Sequence, residues 1–510
     1  MKNLTRKIGF FAALSISIST VIGIGIFFKN TSVLKNQIFN SNFGYFSFWS
    51  FIAAWIVGGM VALFTAYSFS QISKAKDSKS GLAAWVEVLG GKKQGFIVKV
   101  LHCTFYYALI NIVLPVISCE MLFAAIAEYK GISLSDIHIG YVVLTGIIIW
   151  IIFSLINYFA INFSAKIQTF AFFFKLIPLF AAVVISFITT GTKGMNVDQI
   201  NPGAIGIAKM NYFNLSGLFI SLPAILFSFD AFLSIGNMAK DVKKPSWIPL
   251  ISILTIVIAA ILYVFISIGV GLTGYGSIGQ IFESIVPKAN VNLKKTLKIL
   301  TYLTIALGGF FVVNSISMVS LRSAQGLVEQ KQIIFYKQLN SLNKYKKDLG
   351  GLVLYFILAL FYFILLIVPS IIVNGDSLLD TATNIPVLTF FMIYAYTMLL
   401  ALIDKFKNPK KPVIKFFVPI TIIAIVAIMV IMGYELFYKD IYLLITNANK
   451  ISGSGILYAN NQWLIKYDVY IFWSLIGLMM LWILANYWIL KQQLAKENLT
   501  FDQVGENLEI

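Results

Sequence analysis

Twelve stretches of the chain are almost continuously apolar, and each is about as long as a helix must be to cross hydrocarbon, roughly 20 residues. They run over 8–28, 44–72, 96–126, 138–159, 166–190, 213–237, 247–272, 296–320, 350–373, 381–403, 413–437 and 468–491. Only short polar stretches part them, the longest being 321–349 and 438–467. The pattern predicts an all-α integral membrane protein with twelve transmembrane helices and no domain outside the bilayer. Whatever the protein does must then be built within the helices. Lys2, Arg6 and Lys7 ahead of the first apolar run have the look of a secretory signal. Eleven further spans and the lack of a convincing cleavage site favour an uncleaved first helix instead.

Composition narrows the class further. Of the 510 residues, 59% are hydrophobic, 15% aromatic and only 12% charged, with a mean hydropathy of +0.86. A soluble domain carries roughly 25% charged residues. Disorder, collagen, coiled coil and a soluble enzyme with a membrane tail are excluded on the same figures. The net charge of +18 is spread through short loops, which reads as membrane topology rather than nucleic-acid binding. With the N-terminus in the cytoplasm, 26 basic residues fall inside, 12 outside and one, Lys175, within a span, together the 39 in the chain. An even span count returns the C-terminus to the cytoplasm. The outside loop 273–298, with Lys288, Lys294, Lys295 and Lys298, fits least well and is long enough for a short surface helix. Cys103 and Cys119 both lie in apolar runs and imply no disulfide framework. Lys accounts for 37 of the 39 basic residues, which with abundant Ile, Asn and Phe suggests an AT-rich bacterial genome.

Three features within the spans carry candidate chemistry. The first span contains Ser19-Thr20-Val21-Ile22-Gly23-Ile24-Gly25-Ile26-Phe27. Two glycines one residue apart weaken a helix by about 1 kcal/mol each and let backbone approach a ligand. A helix-packing face is the alternative use of such small residues. The sixth span reads Phe227-Ser228-Phe229-Asp230-Ala231-Phe232, and a carboxylate roughly 15 Å deep is a functional candidate by default. The alternative is a buried structural carboxylate. In the fifth span Lys175 lies roughly 13 Å from the cytoplasmic end, where it must face a partner or water, or lose its proton. A fixed ion pair is its alternative. The first and sixth spans would each open a five-helix half. Interrupted helices at matching places of two halves point to a midplane site between inverted repeats.

At these residues the chain resembles the amino acid–polyamine–organocation (APC) permease superfamily, which has the leucine-transporter fold. Gly23-Ile24-Gly25-Ile26-Phe27 is similar to the family's glycine-rich break in helix 1. Tyr67 to Glu87, with Ser80-Gly81, is similar to its cytoplasmic turn after helix 2. Asn157, Ser164-Ala165-Lys166-Ile167-Gln168 and Lys175-Leu176-Ile177-Pro178 follow its helix 4–5 pattern. Phe227 to Phe232, then Asp241-Val242-Lys243-Lys244-Pro245 and Ile248-Pro249, follow helix 6 and its exit. Asn314 and Arg322 match the end of helix 8. The resemblance covers spans one to eight well and the rest by hydropathy. Ile24, Ala231 and Lys240-Asp241 depart from the common pattern, which bears on subfamily and substrate rather than on fold.

The resemblance implies a 5+5 inverted repeat with broken helices 1 and 6 and two peripheral helices. The expected division is 1–7 cytoplasmic, 8–190 first repeat, 213–403 second repeat, 413–491 helices 11 and 12, and 492–510 cytoplasmic. It implies a secondary transporter of amino acids or related amines in the cell membrane, working by alternating access, with a polyamine or cationic amino acid antiporter as the alternative. The expected substrate site is Thr20, Val21, Ile22, Gly23, Ile24, Gly25 and Ile26, together with Asn111, Phe227, Ser228, Phe229 and Asp230. Amides freed at the helix 1 break would take a carboxylate, free carbonyls would take an ammonium, and Phe227 would cover the substrate. Lys175 and Ser19 are expected in coupling. The resemblance puts Lys175 where sodium-coupled relatives hold an ion, near the carbonyls of Ser19 and Ile22, and so implies sodium-independent transport with protons or exchange as the drive.

Other classes find less support. His102 and His138 are the only histidines and lack metal-ligand spacing. Glu120 reads as a water-facing helix end or a vestibule residue. Asn111 has a helix–helix hydrogen bond as an equal alternative. No Walker motif, kinase set or GxSxG elbow is present. A channel would show a repeated filter or rings of charge, and an enzyme a nucleophile with its base. No cofactor, metal or catalytic residue is expected.

Overall fold

The computed structural model describes residues 8–23, 25–26, 30, 33–34, 45–73, 81–193, 207–210, 212–238, 242–273, 281–282, 290–452, 454–458 and 463–499. Eleven helices among them are long and apolar enough to cross a membrane. A twelfth, α1 (Phe10–Val21), is apolar but short. The others, in chain order, are α2 (Phe48–Ile72), α3 (Lys92–Lys130), α4 (Ile139–Phe159), α5 (Ile161–Lys193) and α6 (Leu215–Phe229). They continue as α7 (Ile248–Thr273), α8 (Val291–Glu329), α9 (Leu349–Val373), α10 (Ser377–Lys407), α11 (Phe417–Asn447) and α12 (Ile465–Ala495). The chain is a multi-pass helical membrane protein.

The helix ends follow local chemistry. Ser47, Asn214 and Asn290 each cap a helix by accepting a backbone N–H, from Ser50, Gly217 and Leu293. Gly131 ends α3 at φ 70°, a conformation that glycine adopts without a side-chain clash. One short feature lies outside the apolar pattern: β1 (Tyr45–Ser47) pairs in parallel with β2 (Ile207–Lys209), joining the entries to α2 and α6.

Polarity is inverted relative to a soluble protein. Phe170, Phe173 and Ile177 on α5, Ile364 and Ile372 on α9, and Leu481 and Trp488 on α12 are exposed. Ser, Thr, Asn and several charged side chains are buried between helices. A surface so apolar is stable only against lipid, which offers no hydrogen bonds, so polar groups must find partners within the bundle. α3 lies along α8, and α1 packs against α5, α7 and α8. α6 packs against α2 and α10. α1 and α6 therefore lie in the interior.

Candidate functional site

α1 stops in mid-bundle. Its last helical residue is Val21, and Ile22 is extended at ψ 91°. Gly25 and Ile26 are helical again, while Ile24 lies outside the described residues. α6 stops in the same way. Asp230 is extended at ψ 172°, Ala231 takes φ 66°, and the chain resumes as a 3₁₀ turn over Ser234–Met238. The expected interruptions are thus both present, close to the residues the glycine pair and Asp230 marked.

The two breaks touch. A Cβ on Gly25 would stand 2.7 Å from Ser228 Cα and 2.8 Å from its Oγ. A Cβ on Gly23 would stand 2.2 Å from Val312 Cγ2 on α8. Glycine at 25 is what lets the main chain of one break lie against that of the other. Of the remaining expected residues, Ser19, Thr20, Val21, Ile22, Ile26, Ser228 and Phe229 are all buried here. Phe227 is partly buried against the core. Phe229 packs its ring against Trp55 and Tyr263.

Ending a helix inside apolar surroundings leaves carbonyls without their i+4 donors, at about 1–3 kcal/mol each if nothing replaces them. Side chains from other helices supply the donors. Lys175 Nζ on α5 donates to Ser19 O at 2.7 Å. The Tyr263 hydroxyl on α7 lies 3.0 Å from Val21 O and 3.2 Å from Ser228 O, one hydroxyl serving the carbonyls of both breaks. Tyr263 is fully buried. Sequence reasoning missed it. Its only signal is a phenol in an otherwise apolar run, with Thr255 two turns earlier bonding Ser17 of α1.

Lys175 is buried and forms no ion pair among the described residues. Its charge sits at the negative end of the α1 dipole, which favours a cation. The expected reach to the Ile22 carbonyl is not among its described bonds. A polar seam continues away from it. Ser19 Oγ donates to Gln168 O at 3.4 Å, and Gln168 Nε2 to Phe311 O at 2.8 Å. Asn157 donates to Asn314 O and Oδ1 at 3.0 and 3.1 Å, and Ser164 to Asn157 Oδ1 and Asn314 Oδ1 at 2.5 and 2.9 Å. The seam ties α1, α4 and α5 to α8 through residues that the family resemblance singled out.

The structure gives three polar residues definite partners. Asp230 is bonded through Oδ2 by the Tyr106 hydroxyl of α3, with Tyr394 of α10 beside it. A π-wound turn over His102–Tyr107 brings Tyr106 to this position. His102 stacks on Tyr107 and packs on Phe390, closing an aromatic layer between α3 and α10. Asn111 takes the helix–helix alternative. Its amide bonds Tyr107 O and Ser320, and its Oδ1 accepts from Ser317 and Tyr355, so that it joins α3, α8 and α9. Glu120 is no water-facing end, being wholly buried beside α10. In each case hydropathy gave the depth, and the azimuth around the helix decided the partner.

The arrangement offers no nucleophile with a base. It offers main-chain groups where two interrupted helices meet. Comparison with known proteins agrees in kind. A family model described as amino acid permease matches residues 8–441. An uncharacterized protein of Mycoplasma pneumoniae is 22% identical over 71% of this chain and 67% of its own length. The serine/threonine exchanger SteT of Bacillus subtilis is 23% identical over 52% of this chain and 54% of its own length. The glutamate/serine transporter AimA of Bacillus subtilis is 23% identical over 52% of this chain and 48% of its own length. The chain spans about half the length of these two transporters.

Proposed function

The chain belongs to the amino acid permease family, a family of transporters rather than enzymes, and on that premise we propose that it carries small amino acids across the cell membrane by alternating access. The observation that carries this reading is the contact of the two broken helices at Gly25 and Ser228, with Val21 O and Ser228 O turned toward a single hydroxyl. In this reading all twelve spans cross the bilayer with both termini in the cytoplasm. α1–α5 and α6–α10 are the two inverted repeats, and α11 and α12 are peripheral.

The substrate carboxylate takes the amides that follow the α1 break, from Gly23 to Gly25. Its ammonium takes carbonyls at Thr20 to Ile22 and Phe227 to Phe229, and Phe227 covers it. Ser228 lines the contact between the breaks. Lys175 acts on Ser19 as a fixed cation holding α1, so transport needs no sodium. Asp230 already accepts from Tyr106, which favours neutral substrates over polyamines. The names of the two Bacillus relatives make serine the first substrate to try.

Counterflow uptake of labelled serine into proteoliposomes tests the reading. Saturable exchange without sodium is expected. A membrane protein that takes up none of the common amino acids would overturn it, and strict sodium dependence would remove the role given to Lys175. Uptake driven by an imposed proton gradient alone separates symport from exchange.

A further inference from the structure

A second buried polar cluster lies at the end of α10 opposite Lys405 and Lys407, far along α3 from Tyr106. The segment between α11 and α12 closes over it. Asp376 Oδ2 accepts the amides of Ile456, Leu457 and Tyr458 at 2.7, 3.0 and 3.3 Å. Asp380 Oδ2 accepts the amide of Gly455 at 3.0 Å. Gly455 stands at φ 112°, a conformation side chains rarely adopt, and this turn points consecutive amides the same way. Asp468 fastens the flanks of the same segment through Ser454 and Trp463, and also bonds Thr381 of α10.

Into this cluster α3 inserts Glu120, which is wholly buried. The Glu120 carboxyl lies near the amide of Leu457, but neither of its oxygens, nor Asp376 Oδ1, has a well-formed hydrogen bond from a described donor. The two carboxyls nonetheless lie within hydrogen-bonding reach of each other. Neither takes part in a salt bridge among the described residues. Among the described residues, the titratable groups that face them are Asp380 of α10, Cys119 beside Glu120 on α3, and Tyr458 of the covering segment, none of them a cation. Two carboxylates in contact, cut off from water, cannot both stay ionised. Acceptors facing acceptors at this range call for a proton between them. No group of described residues is arranged to hold a metal ion instead.

We propose that Glu120 and Asp376 form a proton-binding site in which one proton is shared between α3 and α10. The three amides on Asp376 stabilise its charge, so the proton rests on Glu120, whose hydroxyl donates to Asp376 Oδ1. The bound proton holds α3, α10 and the segment 454–458 together. When it leaves to water, Glu120 and Asp376 repel each other beneath the four amides, and the segment lifts. This site is separate from the broken helices and does not rest on the transport reading.

The test uses the full-length protein in lipid nanodiscs. Infrared difference spectra between wild type and Glu120→Gln are expected to show a protonated-carboxyl band present at neutral pH and lost in the variant. Hydrogen exchange of the amides of residues 455–458, corrected for intrinsic rates, is expected to lose tenfold or more protection in wild type as pH rises through one proton step. In Glu120→Gln the carboxamide donates at every pH, so protection is expected to stay flat. If that variant does not fold, Asp376→Asn serves for the band, and the wild-type exchange profile stands by itself. Protection that does not change with pH in wild type, or no protonated carboxyl traceable to this pair, would overturn the proposal. Protection restored at high pH by calcium would overturn it too, making the cluster a cation site.

Discussion

Lys175 Nζ bonds the carbonyl of Ser19 at 2.7 Å, so a buried cation on α5 takes up a main-chain acceptor that the early end of α1 leaves open. A hydrogen bond to a charged donor is worth about 1.5–3 kcal/mol. Lys175→Met is therefore expected to slow serine counterflow by about tenfold to a hundredfold, with the pH profile of the remaining rate unchanged in shape, as a fixed cation requires. Lys175→Arg keeps the charge but spreads it over a planar guanidinium in place of a compact ammonium, and is expected to rescue little. Wild-type rates in Lys175→Met would remove the role assigned here.

The two glycines of α1 should not respond alike. An added methyl at 25 meets the main chain of Ser228, which cannot step aside, whereas at 23 it meets only side-chain atoms of Val312, which a small shift of that side chain can relieve. Overpacking costs about 1–3 kcal/mol where the neighbour is fixed. Gly25→Ala is expected to lose serine binding, as scored by thermal shift of purified protein, and Gly25→Leu to abolish it without preventing membrane insertion. Gly23→Ala is expected to keep most of it. The reverse order would show that the breaks do not touch in the working protein.

Removing the Tyr263 hydroxyl leaves Val21 O and Ser228 O without their shared donor. Tyr263→Phe keeps the ring packed on Trp55 and Phe229 and should insert normally. A buried acceptor left unpaired costs about 1–3 kcal/mol. We expect a lower melting temperature and a weakened apparent serine affinity, both measurable on the same preparation. An unchanged affinity would show that the two carbonyls are not part of the substrate site.

A pH effect is expected at the end of the chain. Burial disfavours the Glu497 carboxylate, but hydrogen bonds from Tyr336 and Lys337 and the charge of Lys331 outweigh it and hold the carboxyl below the ordinary range. An acid with a depressed value in the folded state stabilises docking above the ordinary glutamate pKa of about 4.3, and that contribution fades as pH falls through the folded value. Protection from hydrogen exchange at Leu499, whose amide bonds Leu494 O, is expected, after correction for intrinsic rates, to fall on acidification in wild type. It should respond less in Tyr336→Phe, where part of the contact is already gone. Equal pH responses in the two proteins would count against the contact.

Much of the fold was legible because membrane helices announce themselves by length and hydropathy, and because the glycines of α1 and the lone charges at 175 and 230 are costly in lipid unless used. The partners were not legible. Helices such as α3 and α7 are apolar on nearly every face, so no stripe tells which side meets which neighbour. For Asn111 the sequence leaves the site and a helix–helix bond as equals, and its described bonds run to α8 and α9. Glu120 was read as wet and is enclosed. Tyr263 could be found only once α7 had been laid against α1, since the contact spans 242 positions of sequence.

That separation has a meaning for synthesis. Ser19 waits 156 residues for Lys175, and Val21 waits 242 for Tyr263. At about 5–20 residues per second, the latter interval is roughly 12–50 s. Through that time the interrupted first helix stands at the translocon with carbonyls that lipid cannot satisfy, held by whatever water or insertion factor is at hand. A ribosome stalled before residue 263 should leave a nascent chain open to quality-control proteases, and one released after α7 has emerged should be protected.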